Sequence, residues 1–297
     1  MIELHCHLDG SLRFNTLQQL ASRQGKSAPI PREVTFHRGM SLQSALKKFE
    51  ITLSVLQQPK TITRVAHEIC EDAEAVGIHH LEIRFAPQLH SGASMDRIVD
   101  AAIDGLDWNA NLILCGLYGE PPEILSTLVD VAKTRPRVVG IDLAGGPLPT
   151  HKWSMFDYIK PFEEARRHGI GRTVHAAEGR SPKEIEVAIN FLHAQRIGHG
   201  TTILEDQKVV DLVREKNVLL EACITSNMHT GVIEDVSEHP IKKWIKEDIP
   251  VSICADNTLM SNTDLSVEII NAMYKCGLTD EDIQKTYDWG RQALFKR

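Results

Sequence analysis

Apolar and polar positions alternate between two rhythms along almost the whole chain. Short runs rich in Val, Ile and Leu, of the kind that form buried strands, occupy residues 2–8, 80–86, 112–117, 138–143, 172–177, 196–199, 218–224 and 251–255. Stretches with apolar residues three and four apart predict amphipathic helices over residues 41–56, 62–76, 122–132, 153–168, 182–193, 206–215, 264–274 and 280–294. Eight strands, each followed by helical sequence, fit an α/β chain folded as a (β/α)8 TIM barrel better than an open doubly wound sheet. The 71 residues between the first two strand runs exceed one crossover helix. The first βα connection is therefore expected to carry extra helices able to cover the barrel mouth, and further helices close the C-terminus. No linker, low-complexity tract or repeat interrupts the pattern, so residues 1–297 read as a single domain.

Composition narrows the choice of partners. With 33 Lys+Arg against 40 Asp+Glu, the formal charge of -7 removes the attraction to phosphate backbones and anionic lipid on which non-specific binding depends, so neither nucleic acid nor membrane is an expected partner. No apolar run approaches the roughly 20 residues that span a bilayer, and no signal-peptide pattern follows Met1, so a cytoplasmic location is expected. The six cysteines never form CxxC, which argues against a disulfide framework and against a cysteine zinc module. They read as reduced, buried thiols.

The 14 histidines carry more information, because several lie in apolar runs where an unpaired ring would be costly to bury. Strand side chains alternate faces, so His5 and His7 project to one side with Cys6 opposite, a pair able to pinch a metal ion. His175, His199 and Asp256 end the fifth, sixth and eighth strand runs, where a parallel barrel builds its active site. Three neutral imidazoles and a carboxylate from this group suit Zn2+ or another borderline divalent ion with a position left for water or substrate. Glu178, three residues beyond His175, is the candidate acid/base.

Six segments taken together resemble the motifs of the adenosine deaminase family, in order: Glu3 to Ser11 (ELHCHLDGS), Gly140 to Gly145 (GIDLAG), His175 to Glu178 (HAAE), Arg196 to Gly200 (RIGHG), Glu221 to Asn227 (EACITSN) and Ala255 to Asn257 (ADN). The resemblance runs from residue 1 to about residue 295 and is specific as a set, although each motif alone is weak. It implies a barrel enzyme that replaces the 6-amino group of adenosine or 2'-deoxyadenosine by oxygen, with one Zn2+ per chain held by His5, His7, His175 and Asp256. It further implies that Glu178 protonates purine N1 and that His199 orients and helps deprotonate the attacking water. Asp9 would accept from the ribose 5'-hydroxyl, the Gly145 N–H would meet purine N3, and Phe49 would belong to a helical gate. The implied partner is a small purine nucleoside.

Three features depart from the family pattern. Ala177 stands where the family commonly has glycine, which would be strained if the backbone there needs positive φ. Asn257 replaces a second carboxylate, and its amide can donate to the acceptor N7 where an ionised carboxylate cannot. Short terminal extensions usual in relatives are missing. Asp142 and Glu221 are expected to hold histidine ligands from behind, Cys254 to fill the barrel core, and His229 and the remaining histidines to be structural or solvated. Competing readings are a deaminase of adenine, a modified adenosine or an AMP derivative, a metal-dependent amide or ester hydrolase, and a silent binding protein. Asp9 favours the nucleoside, since a carboxylate suits a 5'-hydroxyl, repels a 5'-phosphate and lacks a partner when the sugar is absent.

Overall fold

The computed structural model describes residues 1–107 and 109–297. Its centre is one parallel eight-stranded sheet in sequential order: β1 (Ile2–His7), β2 (His80–Phe85), β3 (Ala110–Leu117), β4 (Val138–Ala144), β5 (Gly171–Ala176), β6 (Arg196–His199), β7 (Leu219–Ala222) and β8 (Val251–Ile253). The last strand returns to the first through two backbone bonds, His7 N–H to Asp256 O and Asp256 N–H to His5 O, each 2.8 Å. The fold is a TIM barrel, as the strand–helix alternation predicts. Among the described residues, no helix is long and apolar enough to cross a membrane.

The long first connection carries four helices, α1 (Phe14–Arg23), α2 (Pro31–Val34), α3 (Leu42–Val55) and α4 (Pro59–Ala75). Ser41 caps α3 by accepting the Ser44 N–H at 3.2 Å, and this helix lies over the C-terminal mouth of the barrel. The outer ring continues with α5 (Met95–Asp104), α6 (Pro122–Lys133), α7 (Ile159–Arg167), α8 (Lys183–Asn190), α9 (Gln207–Lys216), α10 (Ile224–His229), α11 (Ile241–Lys246), α12 (Leu265–Tyr274) and α13 (Asp280–Gln292). The periodicity overlooks α1, α2, α5, α10 and α11. It also extends the seventh strand to residue 224, whereas the chain turns into α10 at Ile224, where Glu268 accepts the Thr225 N–H at 3.0 Å.

The outward strand residues Leu81, Ile83, Phe85, Ile141, Leu143, Val174, Ile197 and Leu220 pack with the helices in one large core. The interior is different. Ile2, Leu4, Leu219, Cys223 and Cys254 form a small apolar layer, and Phe295 packs on Ile113 and Val139 at the far end. A Cβ on Gly171 would lie 2.2 Å from Phe295 Cγ, so glycine is what admits this ring. Between Phe295 and the mouth lies an ionic layer. Arg84 donates to Asp142 Oδ2 at 2.8 Å and Glu221 Oε2 at 2.9 Å, and Arg196 pairs with Glu82 and Glu221 at 2.6 and 2.9 Å.

Candidate active site

A β-bulge in β1 sets up the site. Between Glu3 and Cys6 the register to β2 slips by one residue, so Leu4 joins the interior apolar layer while His5 and His7, beyond the slip, also face inward. Bulges of this kind re-aim side chains next to barrel mouths. His5 Nε2 lies 3.2 Å from His7 Nε2, and His7 Nε2 lies 3.4 Å from His175 Nε2. Asp256 Oδ1 is 3.4 Å from His5 Nε2 and 3.5 Å from His7 Nε2. An ion with bonds of about 2.0–2.1 Å to tetrahedrally placed donors needs donor atoms about 3.3–3.4 Å apart, which these four separations approach.

The far nitrogens of two of these rings are held from behind. His5 Nδ1 lies 2.7 Å from Glu221 Oε2 and His175 Nδ1 lies 3.1 Å from Asp142 Oδ1, which leaves each Nε2 free to bind. Arg84 ties those two carboxylates together, and Tyr118 Oη donates to the His175 carbonyl at 2.8 Å. Burial holds His7 well below its ordinary pKa against the pull of Asp256, so its ring is neutral. Burial would raise Asp256, but His5, then His7 and His199, outweigh it and hold that carboxyl well below the usual range. His199 and Cys223 also bring donor atoms near His5 and Asp256.

Glu178 and His199 face one another at the rim, with 4.0 Å between Glu178 Oε2 and His199 Nε2. Thr230 Oγ1 donates to Glu178 Oε1 at 3.0 Å, which leaves Oε2 on the cavity side. The segment carrying Glu178 starts at Ala177, whose φ is +55°. Burial pushes the His199 ring down to about 4.

Two adjoining cavities run from these groups under α3. The inner one, about 60 Å3, is lined by His7, His175, Glu178, His199, Asp256 and Asn257 among others. The outer one, about 270 Å3, is mostly apolar and contains Asp9. Both share His7, Leu42, Leu46, Phe49 and Gly145. Asp9 is buried with Oδ1 unpartnered, and burial pushes its carboxyl up to about 7. No Lys or Arg lines either cavity among the described residues. A larger groove of about 840 Å3 lies at the opposite end of the barrel, where Gly171 and Leu219 begin their strands, and holds none of the residues grouped above.

The profile of the family described as adenosine deaminase matches residues 1–293. The adenosine deaminase of Clostridium kluyveri is 36% identical to the chain, over 99% of the chain and 88% of that protein. This chain belongs to the adenosine deaminase family. It is a hydrolytic deaminase by that membership. Among solved structures, the N6-methyl-AMP deaminase of Arabidopsis thaliana superposes with a TM-score of 0.86 at 26% identity, covering 100% of the chain and 92% of the other. The adenine deaminase of Arthrobacter aurescens superposes with a TM-score of 0.88 at 22% identity, covering 100% and 94%, which bears on the fold alone.

Within this deaminase, the ten site residues expected from sequence all lie at the mouth: His5, His7, His175 and Asp256 in the donor cluster, Glu178 and His199 at the rim, and Asp9, Gly145, Phe49 and Asn257 along the cavities. Asn257 Nδ2 donates to Asp256 Oδ1 at 2.7 Å, and its Oδ1 is buried and unpartnered, wedged where a Cβ on Gly10 would fall only 1.8 Å away. His229 packs edge-on to Phe36 and lines neither cavity. Sequence reasoning overlooked Thr230, Tyr118, Asn227, His239 and Arg84. Asn227 closes the EACITSN segment, and Arg84 leaves a trace as a charge on the same face of β2 as Glu82.

Proposed function

We propose that the chain is a zinc-dependent adenosine deaminase that converts adenosine and 2'-deoxyadenosine to inosine and deoxyinosine with release of ammonia. The observation that supports this reading is that the His5, His7, His175 and Asp256 cluster, the Glu178 carboxyl and the buried Asp9 carboxyl with its unpartnered oxygen meet at two adjoining cavities. His5, His7, His175 and Asp256 would hold the ion, and three imidazoles with one carboxylate match zinc. A zinc ion there supplies a nucleophile from water at neutral pH, by lowering the pKa of that water to about 7.

The protein's own groups do the rest. Glu178 delivers a proton to purine N1, so the N1–C6 π pair displaced as oxygen adds to C6 settles on N1; the 6-amino group then takes up the proton of the added hydroxyl and leaves as ammonia as the C6 carbonyl forms. His199 orients the incoming water from the opposite side. Asp9 accepts from the ribose 5'-hydroxyl, which gives its free oxygen a partner. The Gly145 N–H faces N3, the Asn257 amide faces N7, and Phe49 on α3 covers the pocket. A 5'-phosphate would meet Asp9 with no Lys or Arg in the lining to receive it, which favours the nucleoside over AMP derivatives. Free adenine would leave Asp9 without a partner. Residues 1–297 act as one domain, since β1, β5, β6 and the segment after β8 all contribute. Six unpaired cysteines, all buried, suit a cytoplasmic enzyme of purine salvage.

The test is ammonia release by zinc-loaded protein on adenosine, 2'-deoxyadenosine, adenine, AMP, N6-methyladenosine and guanosine, beside the Glu178→Gln variant. Turnover of the two adenosines should dominate, and the variant should lose about 10²- to 10⁴-fold with metal retained. Purine riboside, which can take up water at C6, should bind the wild type tightly and the variant weakly. Hydrolysis of simple esters or amides without nucleoside turnover would overturn the reading.

A further inference from the structure

Two buried side chains connect a backbone amide to His199. The Ile241 N–H donates to Nδ1 of His239 at 3.2 Å. His239 Nε2 lies 3.3 Å from Asn227 Oδ1, and Asn227 Nδ2 lies 3.1 Å from His199 Nδ1. All three side chains are buried, Asn227 completely.

A backbone N–H has one polarity, and here it propagates. Because Ile241 donates, Nδ1 of His239 accepts, and the one proton of that neutral ring sits on Nε2. Nε2–H then donates to Asn227 Oδ1, which turns the amide NH2 towards His199. Nδ1 of His199 accepts, so its proton sits on Nε2, the nitrogen that faces Glu178 Oε2 across 4.0 Å. Reversing the amide would set NH2 against the His239 N–H. Adding a second proton to either ring would set N–H against a donor. Burial acts in the same direction at His239, pushing its ring down to about 3.

We infer that Asn227 and His239 are positioning residues that lock His199 as the neutral Nε2–H tautomer, so that His199 enters the reaction as a hydrogen-bond donor and not as a base. This role differs from the one the family resemblance implies, in which His199 helps deprotonate water, because that would need a lone pair on Nε2. The inference rests on the deaminase reading for its consequence. As the water oxygen bonds to C6, its proton passes to the Glu178 carboxylate, the N1–C6 π pair moves onto N1, and Glu178 returns the proton there. His199 Nε2–H stabilises the charge that builds on oxygen.

Nitrogen-15 NMR of the histidine rings in the zinc-loaded protein tests the tautomer directly, with the His199 signals assigned by their loss in His199→Gln. The expected spectrum shows a protonated Nε2 and an unprotonated Nδ1 throughout the pH range of activity. Asn227→Asp exchanges the amide NH2 for oxygen, still accepts from His239, and should move the His199 proton to Nδ1. Its kcat should fall about 10²- to 10⁴-fold, with KM and metal content little changed, as expected when a catalytic imidazole is held in the wrong tautomer. If that variant does not fold, the His239 pair decides. His239→Leu releases the Asn227 amide and should mix the tautomers, with kcat down about 10- to 100-fold. His239→Gln keeps a donor towards Asn227 and should recover most of that loss. A wild-type proton on Nδ1, or an Asn227→Asp enzyme with normal kcat, overturns the inference. Because the spectrum is read without turnover, absence of deaminase activity would count against the proposed function and not against the tautomer.

Discussion

Glu184 accepts the backbone N–H of Ala177 at 2.7 Å, and this bond anchors the turn from which Glu178 enters the cavity. Ala177 sits at φ +55°, the left-handed region that glycine adopts freely, so the departure from family glycine does carry the strain its sequence position suggests. The turn holds because Ala177 O also accepts from Thr201 Oγ1 at 3.0 Å and Arg180 pairs with Glu184 at 3.0 Å.

Replacing Ala177 by glycine is therefore expected to change little. Relief of about 1–2 kcal/mol of left-handed strain is offset by a lost buried methyl and by greater freedom of the unfolded chain, which leaves stability within about 1 kcal/mol. Urea unfolding and kcat of Ala177→Gly should both stay near wild type. A β-branched residue cannot take this backbone, and Ala177→Val should be clearly destabilised in the same assay.

Asp142 serves two groups, the His175 ring and the Arg84 guanidinium, so its loss should be felt by both metal and fold. Asp142→Asn should bind zinc about 10- to 100-fold more weakly in competition with a chelator. Leaving Arg84 half-paired in the interior should cost about 3–5 kcal/mol of stability as well. Unchanged zinc affinity would show that the imidazole orients itself.

The unpartnered Oδ1 of Asp9 predicts a change in substrate preference. Asp9→Ala should impair adenosine turnover far more than any residual turnover of free adenine, with metal content unaltered. Equal losses on both substrates would assign Asp9 to the scaffold.

Burial of His239 makes a prediction about acid stability. Its folded pKa, near 3, lies below the ordinary value of 6.5, so between these limits the unfolded chain takes up a proton that the native ring refuses. The contribution is fully present above about pH 6.5 and is lost as pH falls towards 3. The midpoint of urea unfolding should fall over that window in the wild type, and less steeply in His239→Gln. Identical slopes would mean that the ring does not stay neutral.

The sequence by itself determined the architecture and the donor set. Strand runs separated by helical ones can close only by parallel, right-handed crossovers, and side chains at the C-terminal strand ends must then converge, which is why His5, His7, His175, His199 and Asp256 were legible from position alone. The tertiary structure decided the rest. A bulge of one residue set the phase of β1, because period-two alternation does not reveal an extra residue. The β-branched run through Ile224 and Thr225 became helix, with Glu268 from another part of the chain accepting the Thr225 N–H at 3.0 Å. The tautomer of His199 depends on Ile241 more than forty residues away, since a hydrogen-bond chain takes its direction from its one unambiguous donor, and no local pattern records which donor that is.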